Sequence, residues 1–205
     1  MIRIAGFILI ISIFNVQQLS AATKVGTAVV NGETVYLYSD FSWKYSNTFE
    51  KNSCEMVSNS IEICKNDIWL RDRSFKSKDP TQLAQFVTDD GSFYSMIIEE
   101  KIGISDGLSL NLLQEGVLTN FADGLGLDIA DVPVIQSEDK SFADYDAKYI
   151  ALKGDYKGLN MVMVNTFFAI DTHNFQLVTW TVGKLLTDKI EKLHQQFIKT
   201  VKVVQ

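Results

Sequence analysis

The scarcest side chains of reactive type in this 205-residue chain are its two histidines, His173 and His194, and its two cysteines, Cys54 and Cys64. General acid–base or nucleophilic catalysis needs a base that a third group holds in place. His173 stands among Asp171 and Asn174 in a stretch expected to form a hairpin turn, where polar neighbours serve the turn itself. His194 follows Leu193 beside an apolar helical stripe. Near the C-terminal half of that helix its positive form is favoured by the dipole, so packing or capping is the expected role. There is no G-x-S-x-G elbow, and Gly183-Lys184 lacks the upstream glycine and following Ser or Thr of a phosphate loop. No catalytic residue, no cofactor and no enzymatic activity are therefore expected.

The cysteines lie ten positions apart without a C-x-x-C motif, and neither histidine is near them in sequence. That pattern predicts an intramolecular disulfide rather than a metal or redox pair. Closing so short a loop stabilises by about 2–3 kcal/mol in the chain-entropy model. Carboxylates are frequent from Asp123 to Asp146, but no 12-residue EF-hand loop occurs, so no metal site is expected.

Binding chemistry has one candidate. In Phe41-Ser42-Trp43-Lys44-Tyr45 the aromatics alternate with small or charged residues, so a strand would put all three rings on one face. Such a row can grip a peptide or stack on a sugar, and it can equally form the inner face of a sheet. Phe41, Trp43 and Tyr45 are the candidate ligand- or partner-binding residues.

The elements that must position these groups begin after an export signal. Arg3 supplies a positive start, Ile4 to Val16 an apolar run, and Ser20-Ala21-Ala22 a small-residue cleavage site, so residues 1–22 read as a signal peptide. The apolar run, about 13 residues, is short of the roughly 20 that cross a bilayer as a helix. Cleavage after Ala22 leaves 183 residues. Losing Arg3 then sets 18 basic against 25 acidic groups, a net −7. Acidity without a basic block argues against nucleic acid as a partner, and no later run is long enough to span a membrane. A periplasmic or secreted protein is expected.

Beyond the signal, Val25 to Val30 and Glu33 to Tyr38 flank Asn31-Gly32, a type I′ hairpin signal. Strands are predicted at Ser60 to Cys64 and Asp67 to Arg73, with a polar connection over Asn47 to Asn59. Asp79-Pro80 predicts the start of a short helix through Phe86. Ser92 to Glu99 alternates as a strand. Leu110, Leu113, Val117 and Phe121 recur at helical spacing, with Gly124 and Gly126 as a stop. Val132 to Ile135 predicts an edge strand, since Pro133 cannot donate to a ladder. Asp146–Lys153, Leu159–Ile170 and Phe175–Val182 form a three-stranded meander, whose middle run is apolar on both faces and belongs centrally in a sheet covered on both sides. Leu186, Ile190, Leu193 and Phe197 make a closing helix, and Val201 to Val204 a last strand.

This order resembles the fold shared by the PsbP family, the Mog1 proteins and several exported bacterial domains. The residues carrying the likeness are the Leu110-to-Phe121 helix, Lys148-Tyr149-Ile150-Ala151-Leu152, the Gly158-to-Ile170 strand, Phe175 to Trp180, and the Leu186-to-Phe197 helix with Val201. The family's early "apolar strand, proline, tryptophan" has only Ile68-Trp69-Leu70 in its place. The resemblance implies an α+β fold, an antiparallel β-sheet with helices packed against it, over residues 77–205. A small β-meander module with the disulfide would precede it at 23–76. Hosts of this fold do unrelated jobs. The expected function is an exported, non-catalytic binding or assembly module that contacts another envelope or secreted protein. The alternative is an exported hydrolase or small-ligand carrier with a pocket between sheet and helices.

Overall fold

The computed structural model describes residues 23–30, 33–45 and 53–204. The expected signal peptide, the expected Asn31-Gly32 turn and part of the expected polar connection after Asn47 lie outside them. The chain forms two compact units, divided between Thr48 and Phe49.

The first unit is an antiparallel meander of β1 (Lys24–Val30), β2 (Glu33–Tyr38) and β3 (Trp43–Tyr45). Ala28 pairs with Val35, and Val35 in turn with Tyr45. The Lys24 ammonium stands 3.3 Å from the centre of the Tyr36 ring, a cation–π contact that joins the outer strand to the middle one.

The second unit is built on a seven-stranded antiparallel sheet. Its spatial order is β6 (Trp69–Arg71), β7 (Gln82–Thr88), β8 (Phe93–Glu100), β12 (Asn174–Val182), β11 (Leu159–Ala169), β10 (Tyr145–Tyr156) and β9 (Val134–Phe142). As its two-sided apolar pattern predicts, β11 lies inside the sheet. Val162, Val164 and Phe168 are buried on one face, Phe167 on the other. β9 forms one edge of the sheet and begins just after Pro133.

Helix α1 (Leu110–Leu125) covers β10 and β11 on one face through Leu113, Val117 and Ala122, which meet Ile150, Leu152 and Phe167. Ser109 caps its start by accepting a hydrogen bond from Leu112 N–H. Gly126, at φ 69°, ends it in the left-handed conformation that a side chain would resist. Helix α2 (Asp188–Ile198) lies over β11 and β12 on the opposite face. Thr187 caps it, Asp188 and Glu191 complement the positive end of its dipole, and Ile190, Leu193 and Phe197 point into the larger core. The Phe197 ring meets Trp69 at 5.5 Å and Phe86 at 5.4 Å, centre to centre.

Two expectations change. The stretch after Asp79-Pro80 is strand β7, not a helix. Ala84, Phe86 and Thr88 are buried at a period of two, and the strand pairs with β8 over its length. The helix-start signal is satisfied locally instead, since Asp79 Oδ1 accepts from both Thr81 N–H (2.9 Å) and Thr81 O–H (2.7 Å) in an Asx turn. Second, the boundary expected at residue 76 falls inside the second unit. β4 (Cys54–Met56) and β5 (Ile61–Cys64) pair with each other, and β5 also pairs with β13 (Val201–Val203), the last strand of the chain. This three-stranded sheet shares the core of the large one, with Ile61, Ile63 and Val201 packed beside Phe197. β6 adds directly to β7.

Candidate functional site

The candidate aromatics sit at the β2–β3 turn of the first unit. Asp40 Oδ1 accepts from Ser42 N–H (2.9 Å) and Ser42 O–H (2.6 Å), while Phe41 N–H bonds back to Tyr38 C=O (3.1 Å). These bonds hold the Asp40 carboxyl below its usual range, with the Ser42 hydroxyl the first cause. They fix Phe41 at φ 64° with its ring 99% exposed. Phe41 is therefore in the turn and outside the strand alternation, which removes it from the common face expected for the three rings. Trp43 and Tyr45 stand two positions apart in β3, opposite Leu37 and Val35 of β2. Trp43 is half exposed, at 51%; the side chain of Tyr45 lies outside the described residues. An exposed phenylalanine in a left-handed backbone position, braced by three hydrogen bonds, is an apolar group presented outward on a rigid mount.

The histidines part company. His194 is fully buried on the sheet-facing side of α2. One ring nitrogen, Nε2, lies 2.8 Å from Thr166 Oγ1, and Nδ1 lies 2.9 Å from Thr179 Oγ1, which is itself 2.8 Å from Ser95 Oγ. Among the described residues no carboxylate hydrogen-bonds to this row of hydroxyls. Burial drives the imidazole down to about 3, so it is neutral, in contrast to the helix-end cation that its place in the sequence suggests. Beside it, Tyr149 gives its O–H to Glu191 (3.3 Å); burial first, then the Glu191 charge, raises the phenol above its usual range. Thr166, Thr179 and Ser95 come together only through the fold, from three different strands. Their only signal was polar residues on inward positions of apolar strands.

His173 is in the β11–β12 turn, as expected. Its Nδ1 is 2.8 Å from Thr172 Oγ1, its Nε2 is 3.9 Å from Glu99 Oε1, and its ring stacks on Phe175. The 101–107 loop closes against this turn at Gly103. A Cβ there would stand 2.3 Å from Asp171 O and 2.5 Å from His173 N, so only glycine allows the approach. A hydroxyl, an imidazole and a carboxylate are thus brought into one row, with the last step longer than a hydrogen bond.

Cys54 and Cys64 form the expected disulfide, as directly opposed residues of β4 and β5. Among the described residues, the one group whose geometry could hold a metal is Cys54, Glu62 and Cys64, and there the two sulfurs are bonded to each other. The recess beside Cys64, about 350 Å³, is lined by Lys65, Asn66, Asp67, Ile68, Gln196, Lys199 and Thr200. Asn66 shapes its floor by accepting from Ile68 N–H and Trp69 N–H and donating to Gln196 C=O.

No family model matches this sequence and no curated protein matches it. The fold does have solved counterparts. The chain is similar to cyanobacterial PsbP (CyanoP) from Synechocystis sp. PCC 6803, with a TM-score of 0.54 at 10% identity, covering 78% of this chain and 96% of that one. It is also similar to LpqN of Mycobacterium tuberculosis, a protein involved in cell envelope biogenesis, with a TM-score of 0.41 at 10% identity over 77% of this chain and 88% of that one. The fold is PsbP/Mog1-like; at such identity the likeness speaks to architecture alone.

Proposed function

We propose that this protein is an exported, non-catalytic binding or assembly module, acting in the periplasm or outside the cell by contact with another protein through Phe41, Trp43 and Tyr45. The observation that carries the reading is the presentation of Phe41. An apolar ring almost wholly in water, on a turn held by the Asp40 hydrogen bonds and next to a half-exposed Trp43, favours a partner that covers it. Export is supported by the signal-like residues 1–22 and by a disulfide of the kind that persists in oxidising compartments.

The test is a photo-crosslinking residue at position 41 in the native envelope. One reproducible protein adduct is expected, lost on Trp43→Ala while the thermal unfolding of the protein is unchanged. Absence of any adduct, or an adduct indifferent to Trp43→Ala, would sink the reading. The hydrolytic alternative has one observation in its favour, the Thr172–His173–Glu99 row. An esterase or amidase activity abolished by His173→Ala would establish it in place of the binding module.

A further inference from the structure

We infer that the Cys54–Cys64 disulfide is a thiol–disulfide exchange site, in which an anionic thiol attacks Cys64 from the recess beside it and Cys54 leaves as a thiolate next to Lys202. Two independent features break the symmetry of the bond in the same direction. Cys64 lines the recess and Cys54 does not. Lys202 Nζ, by contrast, lies 3.5 Å from Cys54 Sγ. A cation at a departing sulfur favours the thiolate, and a better leaving thiolate speeds exchange.

The surroundings fit an anionic attacker. Among the described residues that line the recess, Lys65 and Lys199 are basic and Asp67 is acidic. Glu62 has a carboxylate oxygen within 4.8 Å of both sulfurs, and the same Lys202 ammonium answers that charge at 3.7 Å. Access is favourable, because both cysteines are partly exposed and β4 is a three-residue strand at the edge of its sheet.

The step balances as an exchange. The incoming thiolate bonds to Cys64 Sγ, the Cys54–Cys64 bond breaks, and its electron pair stays on Cys54. A second thiol of the donor then attacks the mixed disulfide and frees Cys64. Overall, a dithiol donor, or two monothiols, loses two electrons and becomes a disulfide while the protein is reduced.

The experiment treats the folded, oxidised protein with reduced glutathione, quenches with acid and maps the mixed disulfide by mass spectrometry. Glutathione is expected on Cys64. Lys202→Met should slow its appearance roughly three- to tenfold while Lys202→Arg preserves it. Lys199→Met should slow glutathione more than it slows uncharged 2-mercaptoethanol. Thermal unfolding of each oxidised variant separates these effects from loss of fold, and the mapped position in the unmodified protein depends on no variant at all. Glutathione on Cys54, equal labelling of both sulfurs, attack only after guanidinium unfolds the chain, or an unchanged rate in Lys202→Met would each overturn the assignment.

Discussion

Buried between the large sheet and α2, the imidazole of His194 meets two threonine hydroxyls and no charge. Its neutrality has a measurable consequence. In the unfolded chain a histidine protonates near 6.5, whereas the folded one does so only near 3. Between those values the unfolded state holds the extra proton, so stability is fully present above about pH 6.5 and is lost as the pH falls toward 3. Each pH unit in that window is worth up to about 1.4 kcal/mol. Urea unfolding at pH 7 and pH 5.5 should therefore show a loss of roughly 1–1.5 kcal/mol from this residue. His194→Gln, which cannot titrate, should flatten the slope even where it lowers stability overall; an unflattened slope would assign the pH dependence elsewhere. Lower down the scale, Asp90 is held to about 2 by the Thr88 and Ser92 hydroxyls, so it stays ionised throughout this window.

At the scale of elements, α2 is fastened to the sheets through the Phe197 ring. Phe197 is fully buried and is flanked by Trp69 of β6 and Phe86 of β7. Trp69 in addition gives its indole N–H to Leu193 C=O in α2 (3.2 Å). Truncating Phe197 to alanine removes the ring from between two strands and a helix that cannot fully collapse around the gap, a loss of about 3–5 kcal/mol. With Trp43 and Trp180 replaced by phenylalanine, Trp69 fluorescence should report it, shifting to the red in the folded Phe197→Ala protein as water reaches the indole. A variant as stable as the parent, with unshifted emission, would contradict this account of the core. The same elements show why β7 departs from the helix its start signal predicts. Asp79-Pro80 is a sound local helix signal, yet the residues after it alternate, and a partner strand in β8 rewards alternation with a full ladder.

For the whole molecule, the second unit is the part in which distant segments of the chain close one core. β5 lies near the start of the second unit and pairs with β13 at the finish, Val201 opposite Ile63 and Val203 opposite Ile61. Phe49, rather than residue 77, is therefore the place where a truncated chain should still fold. A fragment of residues 49–205 is expected to unfold cooperatively, with near-parental denaturant dependence. A fragment of 77–205 loses the partner of β13, the disulfide and Trp69, and should be aggregated or molten. Cooperative folding of the shorter fragment would show that β4–β6 are dispensable.

Much of this architecture is written locally. The α1 stripe with Ser109 before it and Gly126 after it, the β10–β12 meander, the α2 stripe and the bridging of two cysteines ten positions apart all follow from periodicity, caps, spacing and turn chemistry, which depend on neighbours in sequence. By itself the sequence therefore determined the fold class, the order of the main elements and the disulfide. Only tertiary structure decided that Phe41 stands outside its strand, that β7 is not a helix, that His194 is buried and neutral among Thr166, Thr179 and Ser95, and that Lys202 comes to rest beside Cys54 across 148 positions of chain. Each of these turns on which distant segments share a surface, and burial, pairing and electrostatics act through space at distances that spacing along the chain does not encode.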